Sequence, residues 1–425
     1  MGNLKSAITN HPYFAKIVLG LWLFLIAAFV LYKGVFPGWN NTAGDFNNYY
    51  VSSVLVSQGE GIEQFYDNDW FFNKSIENGV EQGAKFAPFP PITAFLYRPL
   101  SGIEFMTAKR IWLLFNVFLL FLLPFRIKRI FKLPIVVSAL IISLFFVPLA
   151  SNFNFGQAYL LLTFFLIEAV GLAQLKAKQN LAAIIVGICA LLKYLPLLFI
   201  FYLFKNDEDL KGGLKSYILK QKWLLFFGGT LIIVLGATYL AWPNAYSAYF
   251  STFSNHMQGD LSGQGKFAIG FQSLDSLLNN LFVPNIAALV DMPILKPIIK
   301  GVVFLGIGWT CFRVFKQDSY IFTAINTSIF IFGAFALIPA SASYHFLFLL
   351  IPVVSIFKWL MSLKAKQSLI VFVILLLATF FIQAHHIPEI NFSQTLNYVF
   401  HYPRLWCLLL LFGYLSYTKL STKHG

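Results

Sequence analysis

The chain of 425 residues is 58% apolar, only 11% charged, and carries a formal net charge of +14. A soluble chain of this length devotes roughly a quarter of its residues to charge, so a soluble enzyme is excluded. The basic excess sits in short loops between apolar runs, where Lys and Arg set membrane topology, and this argues against nucleic-acid binding. Cys189, Cys311 and Cys407 all lie inside apolar runs without CxxC or Cys/His spacing, so neither a disulfide framework nor a metal site is indicated.

The N-terminal MGNLKSAITNHPYFAK leads into an apolar run with no small-residue cleavage signature, read as a retained first helix. Runs long enough to cross ~30 Å of hydrocarbon predict crossings near 17–36, 108–125, 133–150, 158–175, 223–241, 295–315, 320–338, 344–360, 368–384 and 404–418. The stretch 181–204 reads differently. As one crossing it would carry the next loop, with Lys205, Lys211, Lys215, Lys220 and Lys222, to the outside. Two short helices, 181–192 and 195–204, broken around Lys193 and Pro196, return the chain to the inner side.

In this arrangement both termini are cytoplasmic and most of the 31 Lys and Arg residues lie in inner loops. The polar residues of the other face gather in two long loops, 37–107 and 242–294. The expectation is a single all-α polytopic membrane domain over residues 1–425, of about twelve helices, with its working surface outside the cytoplasm. A carrier keeps its polar groups along a central pathway between pseudo-symmetric halves, and no internal repeat is evident here. A transporter or lipid flippase, or a structural scaffold in an envelope-assembly complex, are the alternatives to an enzyme.

In the first loop, residues 46–57 predict an amphipathic surface helix with Phe46, Tyr49, Tyr50, Val54 and Val56 as its apolar members and Asp45 at its N-cap. Gly44-Asp45 is an ordinary helix start. A catalytic carboxylate at the same place is compatible with that role. Glu60, Glu63, Asp67 and Asp69 read as solvated loop charges, and Lys109 with Arg110 as anchors at the start of the second crossing. Glu168 is costly in lipid and is expected to face a polar interior. The adjacent His385 and His386 lack a third ligand nearby and do not form a metal site.

Taken in order, the motifs carry a family likeness. GDFNNYY is followed by the turn and FY of Gly59 to Tyr66, by FAPFPP, by YRPL, and by an aromatic crossing with Trp112 and Asn116. NFGQAYLLLTFFL (Asn154, Gln157), GICALLKYLPLLF (Gly187, Lys193, Pro196), FQSLDSLL and SYHFLFLLIPV (Tyr344, His345) complete the set. Over roughly residues 40 to 355 the chain resembles the polyprenyl-phosphate-sugar-dependent glycosyltransferases of family 87, membrane enzymes of the GT-C fold class. It departs at Phe89, where a Tyr before Pro-Pro is expected, and at Phe271, where an Asn is expected before Gln272 and Ser273.

The resemblance implies transfer of a hexose, mannose by family analogy, from a polyprenyl-phosphate donor to a lipid-linked or envelope-glycan acceptor. The setting implied is the extracytoplasmic face of a bacterial cytoplasmic membrane. The partners are that donor, the acceptor and membrane lipids, with no nucleic acid. No cofactor or metal is implied, since Lys and Arg can neutralise the leaving phosphate and neither HExxH nor a P-loop is present. A phosphate leaving group needs no acid, so a single carboxylate can serve as base. Asp45 matches the family's first-loop acid in that role. Lys193 and Arg98 are expected to hold phosphate, His345 to assist, and Tyr344, Tyr50 and Gln157 to complete the substrate contacts. Lys193 also reads as a helix-end lysine snorkelling to the interface.

Overall fold

The computed structural model describes residues 12–86, 88–204, 221–257, 269–283, 292–318, 322–339, 341–382 and 399–422. Lys5, Lys423, the loop with Lys205, Lys211, Lys215 and Lys220, and the His385–His386 pair lie outside these residues. Every regular element among the described residues is helical, and the protein is an all-helical polytopic membrane protein. In chain order the elements that build the site are α1 (Pro12–Val30), α2 (Phe36–Asn40), α3 (Phe46–Gln58), α4 (Asn68–Glu77), α5 (Phe105–Phe131), α6 (Ile135–Ser143), α7 (Phe146–Phe155), α8 (Tyr159–Ala173) and α9 (Gln179–Leu192).

Five described helices are long and apolar enough to cross a membrane: Lys16–Asn40, Phe105–Phe131, Trp223–Ala241, Leu295–Lys316 and Ser343–Ser362. A sixth span results if α6 and α7, bent by 68°, are counted together. Among the described residues these are the spans by length and composition, against ten crossings expected from apolar length. The run expected at 133–150 breaks after Ser143 because Pro148 has no N–H to offer the Leu144 carbonyl four residues back. Tyr159–Ala173, Ala324–Ala336 and Lys366–Phe381 are apolar but shorter than a full span. The break at Lys193 falls where the sequence puts it. Lys193 is extended (φ −148°, ψ 134°), and a 3-10 helix, Leu195–Leu203, follows with Pro196 in its first turn.

Glu168 is paired through both carboxylate oxygens with the Arg126 guanidinium. Arg126, expected in an inner loop, belongs to α5, which runs on to Phe131. The two long side chains thus satisfy one another between α5 and α8.

The first helix reaches the site through a close backbone contact. A π-helical turn, Leu31–Val35, joins α1 to α2, and the run GVFPG sets Gly34 and Gly38 one turn apart in a small-xxx-small pattern. A Cβ on Gly34 would stand 2.7 Å from the Ala150 Cα, and one on Gly38 2.4 Å from the Phe153 carbonyl oxygen. The missing side chains let this segment lie directly on α7.

Two hydrophobic clusters organise the described residues. The larger gathers side chains from the end of α1 and from α5 to the C-terminal helix Pro403–Ser421. The smaller gathers α3, α4, the first-loop 3-10 turns and the start of α5, with Ala245 of the helix Pro243–Met257. The amphipathic surface helix expected at 46–57 is corrected accordingly. Residues Phe46 to Leu55 of α3 are buried except Asn48, because the rest of the loop folds over the helix. Of the loop acids, Asp67 accepts hydrogen bonds from the Asp69 and Trp70 amides at the start of α4, each at 3.0 Å.

Substitution Gly38→Ala forces a methyl group into the Phe153 carbonyl, and overpacking of this kind costs about 1–3 kcal/mol. Thermal unfolding of the detergent-solubilised protein should show a clear loss of stability for Gly38→Ala, with none for Gly20→Ala, whose Cβ meets nothing within 4 Å.

Candidate active site

The first loop and α7 end beside one another. Gly156 closes α7 in a left-handed conformation (φ +65°), with the Phe46 Cβ only 2.6 Å from where its own Cβ would stand. Its carbonyl accepts hydrogen bonds from the Trp112 indole at 3.1 Å and the Tyr97 hydroxyl at 3.2 Å. Asn152 and Asn116 brace the same turn: the Asn152 amide donates to Asn116 at 3.4 Å, and its oxygen accepts from the Leu160 amide at 3.2 Å. This turn delivers Gln157 to the start of α3.

There the Tyr49 hydroxyl donates to Gln157 Oε1 at 2.7 Å, and Gln157 Nε2 donates to Asp45 Oδ2 at 2.6 Å. The tyrosine proton fixes which end of the amide faces the carboxylate. Tyr344, in the 3-10 helix Ser343–Leu349, lies close enough to Asp45 for its hydroxyl to favour the charged carboxylate. Asn48 Nδ2 stands 3.4 Å from Asp45 Oδ1, while Asn48 Oδ1 accepts the Lys85 amide at 2.8 Å and pins the segment before FPP. Asp45 precedes α3, yet its carboxylate makes no capping bond. The ordinary helix-start role is therefore not the one its side chain performs.

Asp45 is partly buried and lines a cavity of about 540 Å³. Burial raises its pKa above the ordinary carboxylate value, against the lowering effects of the Gln157 hydrogen bond, the Lys193 charge and the nearby Tyr344 hydroxyl. Lys193, 8% exposed, lines the same cavity. Its ammonium lies 4.0 Å from the Phe89 ring centroid, 5.1 Å from that of Tyr49 and 5.4 Å from that of Tyr159. Phe89, Tyr49 and Tyr97 stack in sequence at 5.1 Å spacings, so residues of FPP, GDFNNYY and YRPL form one aromatic wall. The phenylalanine at 89 keeps the cation–π surface and loses only a hydroxyl. Cations sit well over such faces, which leaves the Lys193 N–H groups available to an anion entering the cavity.

The structure thus brings together Asp45, Gln157, Lys193, Tyr344 and His345. His345 Nδ1 accepts the Ala342 amide at 3.1 Å, so a neutral ring carries its proton on Nε2. Two expected residues lie elsewhere. Tyr50 donates to the Ile103 carbonyl at 2.6 Å and packs on Phe105, away from the cavity lining. Arg98 is exposed on the first loop, its guanidinium 5.9 Å over the Phe95 ring. Gln272 donates to the Ile269 and His401 carbonyls, both at 2.8 Å, and Ser273 to the Pro339 carbonyl at 2.6 Å. Phe271 does line the cavity.

Tyr49 and Asn48 were passed over in the sequence in favour of Tyr50. Helical spacing would have found them, since Asp45, Asn48 and Tyr49 stand at i, i+3 and i+4 on one face. Residues 86–339, more than half of the chain, match the description of glycosyltransferase family 87. The chain belongs to glycosyltransferase family 87. No curated protein and no solved structure matches it. The family 87 match takes in Gln157 and Lys193, whereas Asp45 precedes it and Tyr344 and His345 follow it. The cavity brings those three together with Gln157 and Lys193.

Substitution Tyr49→Phe removes the proton that orients Gln157 while keeping the aromatic wall. Loss of one such buried bond is worth about 1–2 kcal/mol, so glycosyl transfer should slow by roughly tenfold in steady-state assays, and Tyr50→Phe should leave the rate near that of the wild type.

Proposed function

We propose that this family 87 enzyme moves a hexose, mannose in the first instance, from a polyprenyl-phosphate donor to a lipid-linked or envelope-glycan acceptor. The observation that carries the reading is that one cavity is faced by a partly buried carboxylate, Asp45, and by an aromatic-walled ammonium, Lys193. In the reaction the acceptor hydroxyl oxygen bonds to the anomeric carbon as the bond from that carbon to the phosphate oxygen breaks. The acceptor proton passes to Asp45. The electron pair leaves with the phosphate, whose charge Lys193 holds, with the Nε2–H of His345 as a further donor. Lys193 supplies the neutralisation of phosphate in this reading, so no metal is invoked.

The donor's tail needs an apolar path. A second cavity of about 430 Å³, lined by Leu195, Leu198, Phe304, Ile307 and Phe330, shares Tyr194 with the first and suits an isoprenoid chain. The Lys and Arg bias of the loops supports an extracytoplasmic site in a bacterial cytoplasmic membrane, with the chain reading as one membrane domain. A transporter would need ionisable groups along a path through both leaflets, and Glu168 is already closed onto Arg126.

Purified protein in lipid nanodiscs with polyprenyl-phosphate-[14C]mannose should transfer label to a membrane-lipid acceptor extract, and Asp45→Asn should lower the rate by about 10²–10⁴-fold. Equal activity in Asp45→Asn removes it as the base, and solute uptake without transfer would favour a carrier. Folding favours the protonated form of Asp45, so this residue costs stability as pH rises above its unfolded value of ~3.9 and through its raised folded pKa. Asp45→Asn should therefore melt no lower than the wild type at neutral pH. The transfer rate should fall with acidification through the same raised value, giving an acid limb above the ordinary carboxylate range; a limb near pH 4 would place the ionising group elsewhere.

A further inference from the structure

Lys109 stands at the start of the second turn of α5 and is 1% exposed. Its ammonium donates to the Asn41 carbonyl at 2.5 Å and to the Ala43 carbonyl at 3.0 Å. The carbonyl between them, Thr42, accepts the Asn47 side-chain amide at 2.9 Å. Three consecutive carbonyls between α2 and Asp45 are thus taken by side chains, in a stretch with no regular structure of its own. Next door, the Arg110 guanidinium lies 5.2 Å over the Trp39 ring.

A lysine that merely anchors a helix end snorkels towards headgroups and water. This one points inward, and among the described residues no carboxylate forms an ion pair with it. Burying an ammonium against neutral oxygens is costly unless those oxygens are well placed. Retaining the charge there has a clear geometric product: the Asn41 and Ala43 carbonyls are drawn to one point, and Gly44 then turns the chain (φ +138°) into Asp45.

We propose that Lys109 is a positioning residue of the active site, which holds the 41–43 segment so that the Asp45 carboxylate meets Gln157 and faces Lys193. The inference rests on the reading of Asp45 as base, and extends it to a side chain that lies outside the cavity lining. A misplacement of about 1 Å at a reacting group can cost 10²-fold in rate, so the effect should appear in turnover and not in donor binding.

The test uses the full-length protein in nanodiscs as Lys109→Met, Lys109→Arg and Lys109→Gln. Asp45 ionisation is followed by infrared difference titration, its band assigned by its loss in Asp45→Asn, alongside kcat and KM for polyprenyl-phosphate-mannose. Lys109→Met should move the Asp45 midpoint down towards the ordinary carboxylate range as water enters, and lower kcat about 10- to 100-fold with KM within about twofold. Lys109→Arg, which keeps charged donors, should recover most of both. If Lys109→Met does not fold, Lys109→Gln carries the same readouts. An unchanged midpoint and an unchanged kcat per folded molecule, with only a lower melting temperature, would make Lys109 a plain structural anchor. Should Asp45→Asn prove fully active, the base assignment fails on its own, while a shifted midpoint in Lys109→Met still reports the positioning.

Discussion

One primary amide joins the two halves of this site. Gln157 accepts from Tyr49 and donates to Asp45, and it can do both only because the backbones that carry these residues are pressed together. Gly34 and Gly38 lay the end of the first helix on α7, and Gly156 lets the turn after α7 close against Phe46. Tyr97 and Trp112 then converge on the Gly156 carbonyl from a different part of the chain. The contact that places the carboxylate is therefore a meeting of three sequence segments separated by tens of residues.

That placement explains the electrostatics. A carboxylate in this position is withdrawn from water and resists ionisation, while the neighbouring Lys193 and the amide and phenol donors around it favour the charged form. Burial is the larger influence. Lys193 lies beside Asp45, where its charge favours the carboxylate, and aromatic faces surround its ammonium.

Much of this was legible in the sequence, and the failures have identifiable physical causes. The membrane class and the break at Lys193 follow from composition, charge and proline chemistry, which are local properties. Asp45, Gln157 and Lys193 came from motif order, and they do share a cavity. The bend within the run 133–150 did not follow, because apolar length cannot see where Pro148 interrupts a helix or where Gly156 ends one. Arg98 was chosen for its chemistry, and nothing in YRPL reveals that Tyr97 turns inward while its neighbour stays exposed. Tyr50 was chosen over Tyr49 because α3 was read as a surface helix with one apolar face, whereas the loop buries it on nearly every side. Glu168 and Arg126 were read apart because apolar length set the helix end short of Arg126.

The central claim is that Lys193 receives the donor phosphate in front of Asp45. Its most direct test is a cryo-EM structure of the protein with a non-hydrolysable polyprenyl-phosphate sugar analogue bound. The account predicts a phosphate oxygen at about 3 Å from Lys193 Nζ, the anomeric carbon facing Asp45, and the isoprenoid chain passing Tyr194. A phosphate held at Arg98, or anywhere out of reach of Lys193, would contradict it.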